Sequence, residues 1–220
     1  MKILIFGGSG MVGQSVLREA LHDATVDEVI LVGRREERIA SPKVRQRVLP
    51  DVSELGAVEA QLRDCDACFF CLGVSSSGMS EARYRALTYD LTLKVADTLS
   101  RVKPGMTFVY VSGAGTDSSE AGRSMWVRVK GATENALLRL PLDAYMLRPG
   151  AIQPLYGVRS KTPLYRWTYL LAAPLMPLVR RLWPDQITTS ERIGRAMLAL
   201  AARGTGKRVL ETADINALSA

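Results

Sequence analysis

A single histidine, His22, and three cysteines stand among the 220 residues. One imidazole excludes a multi-histidine zinc site, and a Ser-His-Asp triad would have to be built on that side chain alone. Three cysteines close no disulfide framework, which points to a reducing compartment and a cytoplasmic location. Long apolar runs are missing too. Only Ile3 to Phe6 separate Lys2 from Gly7, too short for the apolar region of a secretory signal. Nowhere does the chain hold the roughly 18 consecutive apolar residues of a transmembrane helix. The longest candidate, Trp167–Val179, contains Pro174 and Pro177 and is flanked by Arg166, Arg180 and Arg181. As a helix it would reach about 20 Å, against a hydrocarbon core of about 30 Å.

What is present describes one basic, globular domain. Apolar residues make up 47% and charged residues 23%, which is ordinary for a folded chain. A chain of this length can bury roughly 70% of its unfolded surface in one core. Lys and Arg number 29 against 22 Asp and Glu, a net charge of +7. That balance suits an anionic partner such as a phosphorylated cofactor, nucleic acid or an anionic membrane face. The basic residues are spread through the chain and no nucleic-acid motif appears, so nucleic acid is not the expected partner.

Strand-like and helix-like patterns alternate from the start. Lys2–Phe6, Glu28–Val32, Val44–Leu49, Ala67–Leu72, Thr107–Ser112 and Ala144–Leu147 read as strands. Between them Met11–Leu21, Ser53–Leu62, Ser80–Val102 and Met125–Leu140 read as helices, with Ser53 as an N-cap. Arg45 and Arg47 alternate with apolar neighbours, which places their strand near an edge. Near-continuous apolar strands separated by helices predict an α/β, doubly wound parallel sheet. Beyond residue 150 the rhythm breaks. Helices are expected near 163–182 and 190–203, then a strand at Arg208–Glu211, giving a small α-rich C-terminal lobe. Residues 1–155 would form the cofactor-binding core and 156–220 the substrate or lid lobe of a single domain.

Gly7-Gly8-Ser9-Gly10-Met11-Val12-Gly13 lies between the first strand and the first helix, and Gly7, Gly10 and Gly13 have GxxGxxG spacing. The chain there must turn tightly, approach a pyrophosphate closely and pack helix on strand. The helix N-terminus then offers free N–H groups and its positive dipole end to the phosphates. A dinucleotide site is therefore expected on Gly7, Ser9, Gly10, Met11, Val12 and Gly13. An NAD site usually places an acid about 20 residues further on, against the ribose hydroxyls. Here that position holds Gly33-Arg34-Arg35, and no carboxylate follows until Glu36. Arg34 and Arg35 suit a ribose 2′-phosphate, so the expected cofactor is NADP. Asp51 and Val52, just past the third strand, stand where an adenine contact is expected. Asp51 also suits a helix cap.

Cys65, Cys68 and Cys71 have CxxCxxC spacing, but a cluster usually needs four thiolates. Cys68 and Cys71 also sit an odd number of residues apart in one strand and so face opposite ways. They read as buried apolar filler, and no metal site is expected.

The glycine loop, Cys71-Leu72-Gly73, Tyr110-Val111-Ser112 and Leu147-Arg148-Pro149-Gly150 come in an order that resembles the atypical or extended short-chain dehydrogenase/reductases. The likeness is greatest to small NAD(P)-binding proteins of the Tat-interacting oxidoreductase-like and NmrA-like groups. It covers roughly residues 1–155. The resemblance implies cofactor contacts at Leu72, Gly73, Pro149 and Gly150, and a Ser and a Lys that serve both cofactor and catalysis: Ser112 and Lys130. It also implies a Tyr in YxxxK spacing, but Trp126 stands four residues before Lys130. An indole N–H only donates and does not titrate usefully. Three readings stay open. Tyr84, Tyr89 or Tyr156 supplies the proton; the reaction needs only hydride transfer and water; or the chain binds NADP as a regulator or assembly factor. For the enzyme readings the substrate would be a small carbonyl or apolar molecule, handled by oxidoreductase or epimerase-like chemistry.

The family places substrate elements after the Arg148-Pro149-Gly150 turn. Residues 164–183 are rich in Leu, Pro, Trp and Arg, which suits a lid over an apolar substrate, a homodimer face or peripheral membrane contact. Packing against the chain's own cleft or a second subunit is expected rather than a membrane span.

Overall fold

Seven strands lie side by side in one sheet in the computed structural model, which describes residues 1–158 and 185–219. They are β1 (Lys2–Phe6), β2 (Glu28–Gly33), β3 (Val44–Val48), β4 (Ala67–Phe70), β5 (Thr107–Val111), β6 (Asp143–Arg148) and, from the C-terminal region, β9 (Val209–Glu211). Their order is β3-β2-β1-β4-β5-β6-β9, and every neighbouring pair is parallel. The described helices are α1 (Met11–His22), α2 (Glu59–Leu62), α3 (Glu81–Arg85), α4 (Leu91–Val102), α5 (Met125–Leu137), α6 (Ser190–Arg203) and α7 (Thr212–Leu218).

Alternation along β1 shows why the strands are apolar throughout. Ile3 and Ile5 enter one core layer, with Val16 and Ala20 of α1 and Ile193 and Met197 of α6. Leu4 and Phe6 enter the other, with Leu62 of α2, Val95 and Leu99 of α4 and Leu137 of α5. Side chains alternate along a strand, so a sheet covered on both faces needs apolar residues at both parities. The doubly wound expectation holds. Cys68 falls in the second layer and Cys71 packs against the first, as their odd spacing requires. Among the described residues no three His, Cys, Asp or Glu side chains gather as a metal site.

Some local expectations are revised. Ser53 caps no helix: its hydroxyl and amide both donate to the Asp51 carboxylate, at 2.7 and 2.9 Å. The turn that follows is 3-10 over Gly56–Val58 before α2 begins. The Asp51 carboxylate, accepting from both Ser53 donors, closes an Asx turn where a helix start was expected. The helix expected at Ser80–Val102 is interrupted by a π-helical turn at Ala86–Asp90 between α3 and α4. Residues 34–43 cross from β2 to β3 as a loop without a helix. Gln46 ties that loop to β3, donating to the Glu37 carbonyl at 2.7 Å and accepting from its amide at 2.8 Å.

Two three-residue strands, β7 (Ala151–Gln153) and β8 (Ile187–Thr189), pair in parallel beside the main sheet. They are too short for a periodic signal. The helix expected at 190–203 is α6, and it packs along α1. A Cβ on Gly194 would come within 2.8 Å of the Glu19 Cγ and 3.1 Å of the Ser15 carbonyl, so the helices meet at that glycine. The described C-terminal residues thus supply β9 to the main sheet and α6 and α7 to one of its faces. The helix expected near 163–182, with the lid, dimer or membrane reading of 164–183, lies outside the described residues. Among the described residues no helix is long and apolar enough to cross a membrane.

Candidate cofactor-binding site

In an open parallel sheet the strand order reverses beside β1, and the crevice at the carboxyl ends of β1 and β4 is where ligands bind. The glycine loop occupies that point. Gly7 has φ of +82°, and a Cβ there would lie 2.8 Å from the Cys71 carbonyl carbon and 2.9 Å from the Leu72 nitrogen. The first glycine therefore lets the loop pass under the end of β4. A Cβ on Gly13 would lie 2.2 Å from the Gly7 carbonyl oxygen, so the third glycine lets α1 close onto the loop. The first helical bond runs from the Gln14 amide to the Gly10 carbonyl at 2.8 Å. The amides of Met11, Val12 and Gly13 therefore precede the helical ladder. Gly10 gives α1 no side-chain cap and its first turn holds no acid. Gln14 steadies the loop by donating to the Ser9 carbonyl at 2.9 Å. Such a cradle, glycine-rich and without negative charge, fits a pyrophosphate.

Arg34 and Arg35 follow β2 directly, are exposed, and make no ion pair among the described residues. The Leu49 amide donates to the Gly33 carbonyl at 2.9 Å, which brings the end of β3 alongside. Asp51 is exposed there, and the hydroxyl and amide of Ser53 hold its carboxyl below the usual carboxylate range. Val52 is buried in the core layer, so only its backbone is available to a ligand. Leu72 and Gly73 leave β4 beside Gly7, and Gly73 has open space where a Cβ would stand.

At β5 the structure adds partners that no motif had marked. The Ser112 hydroxyl is buried and donates inward, 2.5 Å from the Glu134 carboxylate and 3.0 Å from the Leu147 carbonyl. Lys130, one turn before Glu134 on α5, donates its ammonium to the Ser112 carbonyl and reaches the Val111 carbonyl at 3.5 Å. The amine stands 5.9 Å from the Tyr110 ring centre. Burial pushes its pKa down to about 8, with the Glu134 carboxylate pulling the other way. Glu134 and Arg148 form a buried ion pair with their side chains 1% and 12% exposed. Arg148 meets both carboxylate oxygens, its Nε at 3.1 Å from one, and it also donates to Ser118 at 2.6 Å. Ser112, Lys130 and Arg148 stand in motifs of the sequence, whereas Glu134, which joins them, is marked only by its helical spacing from Lys130.

Trp126 is half-buried one turn before Lys130, and its ring lies 3.7 Å from where a Cβ on Gly115 would stand. The three tyrosines considered as proton donors are scattered. Tyr84 is buried, and burial raises its pKa. Tyr89 lies under the Arg85 guanidinium at 4.0 Å. Tyr156 is 61% exposed and stacks with Arg18 at 3.6 Å. None of them hydrogen-bonds to Lys130. Pro149 accepts from the Ala114 amide at 2.9 Å, so the ends of β5 and β6 stay joined. The Gly150 amide donates to Thr212 at 2.8 Å, and a Cβ there would lie 2.4 Å from the Gln186 carbonyl. Gly150 is thus a packing contact between β6 and the approach to β8.

Comparison with known proteins agrees with this geometry. A family profile described as NAD(P)H-binding matches residues 7–155. Protein HTATIP2 of Rattus norvegicus is 29% identical over 154 residues, covering 68% of this chain and 62% of that protein. The chain therefore spans less than two thirds of that relative's length. The mitochondrial protein fmp52-2 of Aspergillus terreus is 26% identical over 165 residues, covering 73% of this chain and 70% of that one. The Bordetella bronchiseptica enzyme WbmF in complex with NAD+ has a TM-score of 0.67 at 19% identity, over 98% of this chain and 76% of that one. MoeE5 in complex with UDP-glucuronic acid and NAD has a TM-score of 0.68 at 17% identity, over 95% and 75%. At such identities the two solved structures share the fold. With the glycine cradle at the switch point of the sheet, the profile match places this chain in the NAD(P)H-binding family, among the atypical short-chain dehydrogenase/reductases.

Proposed function

We propose that this chain binds NADP(H) and responds to it as a regulator or assembly factor, without the proton relay of the dehydrogenases it resembles. One observation carries the reading: the Ser112 hydroxyl is buried and hydrogen-bonded to the Glu134 carboxylate at 2.5 Å. With Trp126 in place of the Tyr, Lys130 is the one member of the Ser-Tyr-Lys set left with a side chain that titrates, and its ammonium rests on the Ser112 carbonyl. When bound, the cofactor would supply hydride chemistry. The chain's own groups would hold its pyrophosphate on the Gly7–Gly13 loop, its 2′-phosphate on Arg34 and Arg35, and its nicotinamide ribose on Lys130. A second reading, an NADP-dependent oxidoreductase or epimerase-like enzyme on a small carbonyl or apolar substrate, is favoured by Lys130. Burial lowers the pKa of its amine to about 8 at the carboxyl end of β5, so it has a proton to exchange. Both readings are of a cytoplasmic protein, with residues 164–183 as lid, second-subunit contact or peripheral membrane contact.

Calorimetric titration with NADPH and NADH tests the cofactor. Arg34→Ala with Arg35→Ala is expected to weaken NADPH by about 10- to 100-fold, the effect of losing one or two charged hydrogen bonds, and to leave NADH unchanged. Equal affinities in the parent chain would sink the NADP assignment. Following NADPH oxidation over a panel of carbonyls separates the two functions. The parent chain should give no turnover, and Trp126→Tyr, which restores YxxxK but leaves the Ser112 hydroxyl on Glu134, should give none either. Turnover by the parent that is lost in Lys130→Met would establish the enzyme instead.

The amine also sets a pH dependence. Its pKa is lowered to about 8, so the ammonium is present below that value and lost above it. NADPH affinity should therefore fall as pH rises from about 7 to about 9, and Lys130→Met should bind more weakly with no inflection in that window. An inflection that survives in Lys130→Met would assign it to another group.

A further inference from the structure

We infer that Glu134 is the positioning residue of this site: from α5 its buried carboxylate holds the Ser112 hydroxyl while Lys130 holds the Ser112 carbonyl. One helix thus grips the end of β5 by the hydroxyl and the carbonyl of a single residue. The two side chains stand four residues apart and so share a helix face. The carboxylate does not drift, because Arg148 at the end of β6 meets both of its oxygens. Arg148 is in turn held by Ser118 and by Glu211 of β9, at 2.6 and 3.4 Å.

This arrangement does two things for Lys130. It fixes the carbonyl to which the ammonium donates, so the amine has one position at the mouth of the cleft. It also sets a buried negative charge beside an amine that burial would otherwise discharge. The groups facing Lys130 from the packed elements are few. Glu134 lies on its own helix, Tyr110 on β5 presents its ring at 5.9 Å, and Arg148 on β6 is compensated by Glu134. Tyr84 of α3 stands beside Tyr110. That the amine serves a cofactor rests on the function proposed above; that Glu134 places and charges the amine does not.

The test is the titration of Lys130, read by NMR of lysine labelled at Cε in the cofactor-free protein, with Lys130→Met assigning the signal. The parent midpoint is expected near 8. Glu134→Gln keeps the shape and removes the charge, and its midpoint should fall by about one unit. A folded Glu134→Gln chain with the parent midpoint overturns the inference. Should that variant unfold because Arg148 is left unpaired, Glu134→Gln with Arg148→Gln removes both charges, and a smaller fall in the same direction is expected. If neither folds, the carboxylate serves the core alone and the inference fails. NADPH titration of the same proteins keeps the two readings apart. A parent chain that binds no NADPH refutes the cofactor reading and leaves the Lys130 titration to decide the role of Glu134.

Discussion

Arg148→Ala is expected to lower the free energy of unfolding by about 3–5 kcal/mol, the range for breaking a buried ion pair from one side. The variant strands the Glu134 carboxylate, which is 1% exposed and keeps the Ser112 hydroxyl as its hydrogen-bond partner, with the Lys130 amine nearby. Taking that charge from water was offset by two guanidinium contacts, which the variant removes. The loss also unties β6 from the Ser118 loop and from Glu211. Urea denaturation at neutral pH reads it directly. Arg101→Ala is the internal contrast, because its pair with Asp97 lies on the surface, 66% and 60% exposed, and should contribute under about 1 kcal/mol. If both variants lose stability equally, burial is not what gives the Arg148 pair its weight.

Gly13→Ala is expected to weaken NADPH by more than about 100-fold and to reduce stability by about 1–3 kcal/mol. The added carbon would meet the Gly7 carbonyl oxygen at 2.2 Å and its carbon at 2.7 Å, and these are backbone atoms that cannot swing aside. Either α1 lifts from the loop or the loop opens, and both move the amides of Met11 and Val12 from the phosphate positions. A graded series follows from the same geometry. Gly7→Ala should be comparably severe, since it is strained at positive φ and meets the backbone at 2.8 Å. Gly8→Ala meets only the Leu31 side chain, and Gly10→Ala meets one oxygen at 3.3 Å, so both should be milder. Calorimetric titration over the four variants checks the order. A Gly13→Ala chain that binds like the parent would mean that the phosphates do not sit on this loop.

The period of the apolar residues was enough to place most of the sheet. β1 and β2 run as expected to within a residue, because strands covered on both faces must be apolar at every position. Arg45 and Arg47 gave β3 away as the edge strand. The spacing of Gly7, Gly10 and Gly13 located the cradle, since only glycine permits those backbone approaches. β7, β8 and α7 left no trace, being shorter than the window over which periodicity registers. The π-helical turn at Ala86–Asp90 shifts hydrogen bonds by one residue within an otherwise helical pattern, and composition carries no mark of it.

Ser112, Lys130 and Trp126 show where local order stops informing. Their types and spacing are written in the chain, and from them came the family and the missing phenol. The direction of the Ser112 hydroxyl is not written there. It is settled by Glu134, 22 residues away, and by the Leu147 carbonyl, 35 residues away, once β5, α5 and β6 have packed. The same packing decides the protonation of Lys130, because its pKa depends on burial and on a neighbouring carboxylate rather than on residue type. Backbone demands such as a glycine loop act between near neighbours and are legible from the sequence alone. The charge and direction of a buried polar group depend on what surrounds it in space, and only the tertiary structure decides that.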